Sequence, residues 1–191
     1  MSSRSKAQKL LGLEAKIREY LKVLLGKRFE SSRIRCHGDM HLGQALYTGK
    51  DFIFIDFEGE PTRSLSARRL KQSPLKDVAG MLRSFHYASR MGLQKFLARE
   101  SNNGDITAQA NQWAQFWYHW VCVAYLKSYM NTIKGIPLFP KPGNEFKTLL
   151  NIFLLDKSVY ELNYELNHRM EWLYIPLEGV LDITEKIDDK T

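Results

Sequence analysis

The stretch from His37 to Glu60, HGDMHLGQALYTGKDFIFIDFEGE, decides how the rest of the chain is read. Its skeleton is His-Gly-Asp, four residues, Gln, then two short β-prone runs, and Ile-Asp-Phe-Glu. Ala45 to Thr48 and Phe52 to Ile55 are joined by Gly49-Lys50-Asp51, which predicts a small hairpin. Phe52 to Ile55 is apolar at every position, the pattern of a strand covered on both faces. A hairpin carries the chain out and back, so it returns Asp56 to the loop that holds Asp39 and Gln44. A phosphoryl-transfer site needs a carboxylate beside the attacking hydroxyl and hard oxygen donors for magnesium at the nucleotide phosphates. Asp39 is the candidate base, and Gln44 and Asp56 are the candidate metal ligands. Four fixed residues at this spacing arise by chance about once in 10³ chains of this length, so the combination carries more weight than any of its parts.

The Asp39 to Gln44 interval equals that between the Asp and Asn of the protein-kinase catalytic loop. Asp56-Phe57 stands where the kinase Asp-Phe-Gly begins. His37, just before the aspartate, is read as a brace that hydrogen-bonds the loop. Asp77 is read as structural too, either capping a helix or tying the catalytic loop down. Cys36 is a small core residue on a short strand, Ile34 to Cys36. His41 lies inside the loop, with a structural role and a phosphate contact both open.

Around this centre the pattern is helical. Leu10, Leu13, Ile17, Tyr20 and Leu24 repeat every three or four residues and predict one N-terminal helix ending near Gly26. Glu58 to Ser73 reads as a loop with one short helical turn. A helix runs from Pro74 and Asp77 to about Met91, and Asn102-Asn103-Gly104 marks a turn. Thr107 to Met130 is one long helix whose aromatics are read as core. Gly135, Pro137, Pro140 and Pro142 break the chain. Asn144 is a candidate cap for a helix to about His168, and a short helix follows Pro176. The expected fold is α+β, mainly α, a single domain over residues 1–191. Its parts are an N-terminal helix (1–30), a catalytic loop, hairpin and metal-ligand loop (31–76), and a helical subdomain carrying the acceptor site (77–191).

Composition narrows the function classes. The chain has 191 residues, is 44% apolar and 26% charged, and carries a net charge of +7. These proportions exclude wholesale disorder. No run of eighteen apolar residues exists to form a transmembrane helix, and MSSRSKAQKL is not a secretory signal. Two distant cysteines suggest neither a metal pair nor a disulfide, so a cytoplasmic setting is expected. Arg63, Arg68, Arg69, Lys71 and Lys76 form a basic run directly after the metal ligand; Arg63 is the candidate for contact with nucleotide phosphates. The positive balance permits nucleic acid. The aromatics of the long helix fall on several faces, however, and no nucleic-acid or membrane partner is expected.

HGDMHLGQ (37–44), IDFEGEP (55–61) and SPLKDVAGMLRSFHYA (73–88), followed by VYELNYELNHR (159–169) and Trp172-x-x-Ile175-Pro176-Leu177, resemble the C-terminal lobe of bacterial maltokinases. The form fused to trehalose synthase is the most similar. Aminoglycoside phosphotransferases and choline kinases share the wider layout but usually carry Asn where this chain has Gln44. The resemblance covers roughly residues 33–187. It implies a protein-kinase-like C-terminal lobe, with ATP and Mg²⁺ as cofactors and maltose as acceptor, giving maltose 1-phosphate for α-glucan synthesis. It implies Asp39 as catalytic aspartate and Gln44 and Asp56 as magnesium ligands. It places a sugar site on this lobe, with Tyr160, Glu161, Tyr164, Glu165 and Arg169 as candidates: aromatic faces stack on sugar rings, and carboxylates accept sugar hydroxyls. The N-terminal lobe that such kinases use to bind nucleotide is expected to be absent, since neither a glycine-rich loop nor a strand-borne lysine precedes His37. The alternatives are another small-molecule kinase, for an aminoglycoside or amino alcohol, and a non-catalytic sugar-binding remnant.

Overall fold

Helix α4 (Leu75–Leu97) is the element around which the main core is built. Leu75, Val78, Ala79, Leu82, Phe85, His86 and Ser89 are buried along it at helical spacing, and they present one continuous face. The computed structural model describes residues 3–100, 104–136, 138 and 143–188. In chain order the other elements are α1 (Ser3–Gly12), α2 (Glu14–Leu25), the hairpin β1 (Ala45–Tyr47) and β2 (Phe52–Phe54), α3 (Leu65–Arg69), α5 (Gly104–Thr132), α6 (Asn144–His168) and α7 (Tyr174–Asp188). Short 3₁₀ turns at Leu42–Gln44 and Met170–Trp172 complete the list. The fold is α+β and mainly helical, with one two-stranded sheet.

Helices α5 and α6 pack on either side of α4, and α7 packs on α6 and α4. Leu149 and Leu150 of α6 join the α4 face in the main core, with Tyr118, Val121, Tyr125 and Tyr129 of α5 leaning against it. A second cluster, Leu155, Val180 and Ile183, is capped by Leu10 and Ile17 from the N-terminal pair. Burial of these aliphatic side chains supplies the main favourable term, about 1.5–3 kcal/mol for each fully buried one.

Several sequence expectations change here. The N-terminal helix is two helices, because the chain turns at Gly12-Leu13, with Leu13 N–H bonded to the Leu10 carbonyl at 2.9 Å. Ile34 to Cys36 forms no strand; it contributes one bridge, Ile34 to Gln72. Asn144 does not cap α6. Gly143 holds the cap position, and Asn144 is the first helical residue. Helix α4 runs two turns beyond Met91, and α7 is a full fifteen residues. The Asn102-Asn103 turn, Pro137, Pro140, Pro142 and the side chain of Leu24 lie outside the described residues.

The hairpin forms in the expected register, Ala45 opposite Phe54 and Tyr47 opposite Phe52, with Gly49 at φ 92 in the turn. Yet Phe52, Ile53, Phe54 and Ile55 are all exposed. A two-stranded ribbon has no neighbouring layer of its own, and no described element lies over it. The long aromatic helix is likewise only half core. Trp113, Phe116, Trp117 and Trp120 recur at i, i+3, i+4 and i+7 and stay exposed, Trp113 at 63%, because α4 covers one side of α5 only.

Inside the bundle, Arg83 of α4 is fully buried and pairs with Glu161 of α6 through Nε and Nη2, both at 2.8 Å. Its Nη1 meets His86 Nδ1 at 2.8 Å. The neighbouring carboxylate, Glu165, is 1% exposed; it accepts from Tyr87 Oη at 3.0 Å and from both Arg169 Nε and Nη2. Burial and the two glutamates push the Tyr87 phenol well above its ordinary range. Removing one member of a buried pair strands the other charge. Arg83→Met is therefore expected to cost about 3–5 kcal/mol in urea unfolding, and the double change Arg83→Met with Glu161→Leu is expected to recover most of that loss. Equal losses in the single and double variants would show that the ion pair is not what holds α4 to α6.

Candidate functional site

The site is assembled where the loop before β1 meets the loop after β2. Gly38 has φ 88 and Gly59 has φ 79, and a Cβ on Gly38 would lie 3.3 Å from the Gly59 Cα. The two loops touch there, backbone to backbone; Gly38 is crowded, and the positive φ of both positions strains any larger residue. Beneath them α4 passes so closely that a Cβ on Gly80 would come within 2.5 Å of the Met40 carbonyl oxygen.

Three groups fix the catalytic loop. The Asp77 carboxylate, in the first turn of α4, accepts from the backbone N–H of His37 at 2.7 Å and of Gly38 at 2.8 Å. Pro74, not Asp77, occupies the cap position of that helix. The His37 ring is buried. Its Nε2 lies 2.7 Å from the Ile55 carbonyl oxygen, and its Nδ1 accepts from the Asp39 N–H at 3.4 Å. That assigns the proton to Nε2. Phe57 packs on the same ring at 4.8 Å. His37 thus spans from the backbone of Asp39 to the residue before Asp56, with no solvent-facing nitrogen left over.

The hairpin does the rest. Ile55 N–H donates to the Gln44 carbonyl at 3.0 Å, and Gln44 Nε2 donates to Asp56 Oδ2 at 2.9 Å. Asp56 has φ 62, the left-handed region that Asp tolerates better than most residues but still at a cost of about 1–2 kcal/mol. Among the described residues the amide oxygen of Gln44 and Oδ1 of Asp56 accept no hydrogen bond. No group of three or more His, Cys, Asp or Glu suited to a metal occurs among the described residues. A carboxylate and an amide are hard oxygen donors of the kind magnesium takes.

Asp39 lies beside a narrow cleft of about 20 Å³ and meets its lining through Lys157; the lining includes Gly38, Met40, Glu60, Arg63, Lys76, Asp156, Lys157 and Tyr160. Lys157 of α6 places Nζ 3.3 Å from Asp39 Oδ1 and 3.7 Å from Glu60 Oε2, and lies 5.1 Å from the centre of the Tyr160 ring. His41 Nε2 is 3.8 Å from Asp39 Oδ2, and its Nδ1 accepts from the Gly43 N–H. Tyr160 Oη shares a hydrogen bond with Thr62 Oγ1 at 3.0 Å, and burial pushes its phenol up to about 12. Arg63 reaches the cleft and lies 3.8 Å from Asp156. Burial, then Arg63, holds the Lys76 ammonium below its usual range. Cys36 sits behind the loop, its thiol pushed up to about 11 by burial and Asp77, so it is not a nucleophile at neutral pH.

The five sugar-site candidates, four on α6 and Arg169 at its C-terminal cap, point to different surroundings. Tyr160 alone faces the Asp39 cleft. Glu161 and Glu165 turn inward to Arg83 and Arg169, and Tyr164 stacks on His168 at 4.4 Å with Arg169 over its ring. One helical residue advances about 100°, so Glu161 beside Tyr160 points elsewhere. Lys157 and Glu60 went unnoticed in the sequence. Lys157 lies three residues before Tyr160 on the same helix, and that spacing is the signal that finds it.

No family model matches the chain. It is 24% identical over 160 residues to a glucosamine kinase of Streptacidiphilus jiangxiensis, an alignment covering 82% of this chain and 33% of that protein. It is 25% identical over 150 residues to a glucosamine kinase of Mycolicibacterium smegmatis, covering 76% and 34%. A solved glucosamine kinase in complex with glucosamine, ADP and inorganic phosphate superposes with a TM-score of 0.77 at 23% identity, over 97% of this chain and 43% of that one. A second crystal form gives 0.74 at 22% identity, over 93% and 40%. These relatives are sugar kinases. The fold is that of part of such an enzyme, and the chain spans about a third of the length of the curated relatives it matches. Maltose, a trehalose synthase partner and glycogen synthesis find no support in them.

Asp77 is the anchor that can be tested without an assay. Asp77→Ala leaves two loop amides without their acceptor and is expected to lower stability by about 2–4 kcal/mol, whereas Asp77→Asn keeps one oxygen and loses about half as much. Urea denaturation followed by circular dichroism reads both, and equal losses would show that the second hydrogen bond contributes nothing.

Proposed function

We propose that this chain is the acceptor-side lobe of an ATP-dependent sugar kinase. The observation that carries the reading is the convergence of Asp39, Gln44 and Asp56 through one short hairpin and one histidine. A similar solved glucosamine kinase, in complex with glucosamine, ADP and inorganic phosphate, supports it.

In this reading the acceptor hydroxyl enters the cleft beside Asp39 and gives its proton to the carboxylate. Lys157 and the Asp39 N–H bond to His37 hold that carboxylate in place. Tyr160 offers an aromatic wall for the sugar ring, and Glu60 offers an acceptor for a sugar hydroxyl or amine. Gln44 and Asp56 would hold magnesium, which when bound supplies positive charge to the phosphate oxygens. Arg63, at the mouth of the same cleft, faces the transferred phosphoryl group. Glucosamine is the first acceptor to test, and maltose, which the motif resemblance suggests, is the second. The fixed charges favour neither outright: Asp39, Glu60 and Asp156 face Lys157, Arg63 and Lys76.

The test places this chain in the aligned third of the Streptacidiphilus glucosamine kinase and follows phosphate transfer from ATP to glucosamine, glucose and maltose. The chimera is expected to phosphorylate one of these sugars, and Asp39→Asn is expected to lower its kcat by about 10²–10⁴-fold with little change in sugar KM. Direct titration of the 191-residue chain with the same sugars gives an independent reading. An active chimera that keeps its rate with Asn at position 39 would defeat the assignment.

A further inference from the structure

A second cleft, of about 800 Å³, opens on the other side of Phe153 from the Asp39 site; Phe153 lines both. Its volume falls in the range of small-molecule sites. Lys27, Arg28 and Arg33 reach it from the segment that follows α2, and Lys71 reaches it from the segment that follows α3. The positive charge is therefore brought together by folding from two places about forty residues apart, and is not the solvated face of one run.

None of these four cations has a carboxylate partner within 4.0 Å among the described residues, although most other cleft and core cations of the chain do. Glu30, the one acid within the 27–33 segment, does not line the cleft. Lys27 lies over the Phe29 ring at 5.5 Å, and both residues line the cleft. Four like charges in one concavity repel one another, and a bound anion relieves that repulsion. The wall also holds a hydroxyl pair, Ser31 Oγ and the buried Ser73 Oγ, 2.9 Å apart. The floor is apolar, from Phe29, Leu149 and Phe153.

We infer that this cleft binds an organic phosphate ester, its phosphate held by the Lys27, Arg28, Arg33 and Lys71 cations and its carbon skeleton resting on Phe29 and Phe153. Arginine pairs with phosphate in a fork, and hydroxyls and aromatic faces suit a sugar body. The concave shape and the apolar floor favour a small ester over a nucleic-acid strand, which needs an extended track. The site stands apart from the proposed sugar kinase chemistry and does not depend on it.

The experiment titrates the 191-residue chain with glucose 6-phosphate, inorganic phosphate, glucose and a single-stranded DNA 12-mer by calorimetry at roughly 0.15 M salt. Glucose 6-phosphate is expected to bind, and the paired changes Arg33→Gln with Lys71→Gln, or Lys27→Gln with Arg28→Gln, are each expected to weaken it about tenfold or more. All four positions are exposed, so these variants keep the core intact. Lys95→Gln, an exposed change near the C-terminal end of α4 that lines neither cleft, is expected to leave binding unchanged. Uncharged glucose is not expected to compete. The inference is overturned if glucose 6-phosphate does not bind, if both paired variants bind it as well as the parent, or if Lys95→Gln abolishes it. Inorganic phosphate binding as tightly as the ester would overturn the assignment to an organic ester. A tighter complex with the 12-mer would overturn the small-molecule reading.

Discussion

One carboxylate, Asp77, holds two consecutive amides of the loop that carries Asp39, and the site depends on that grip. The loop has no secondary structure of its own from Arg35 to Met40, so its backbone groups must find partners elsewhere. A helix N-terminal turn is a suitable place for that carboxylate, because the helix dipole favours negative charge there. The same helix supplies Gly80, where the Met40 carbonyl rests. The loop therefore inherits its position from a helix whose inner face lies in the main core. His37 then passes that position on to Ile55 and, one residue further, to the strained backbone of Asp56.

Helix α6 serves the fold and the site from different sides. Lys157 and Tyr160 look outward to Asp39 and Glu60, while Ser158, Glu161 and Glu165 are buried. Arg83 and Tyr87 of α4 hold the inner carboxylates Glu161 and Glu165, which limits how far α6 can rotate against α4. A rotation that opened the ion pairs would also withdraw Lys157 from Asp39. Stability and the geometry of the cleft are coupled through one helix, and a buried ion pair is well suited to this because its attraction depends steeply on distance in a low-dielectric interior.

The motif and its hairpin were legible because their information is local. Gly49 marks the turn, the spacing of Asp39 and Gln44 is fixed within one loop, and the ribbon can return only to where it started. The helices were legible from periodicity, though not the break at Gly12-Leu13, which two apolar flanks conceal. What the sequence hid is relational. Glu161 and Glu165 look like any helical carboxylates until Arg83, some eighty residues earlier, is seen beside them. Lys157 looks like a surface lysine until Asp39 and Glu60 are placed within reach. The continuous apolar runs of β2 and the tryptophan stripe of α5 signal a need for cover, but periodicity cannot say whether the covering layer belongs to the described chain.

The basic run from Arg63 to Lys76 shows the same distinction in electrostatics. Read along the chain it is one patch. In space Arg63 and Lys76 enter the Asp39 cleft, the Arg68 side chain covers Gly59, and Lys71 joins Lys27, Arg28 and Arg33 in the neighbouring cleft. The first pair is set against Asp39, Glu60 and Asp156, so the Asp39 cleft is close to neutral and polar. The second set has no such opposition. A net charge of +7 is thus not a property of the whole surface. A balanced cleft presents little net potential to a neutral group. An unbalanced one is selective for anions before any shape is matched, since every unpaired cation adds to the potential that an incoming phosphate meets.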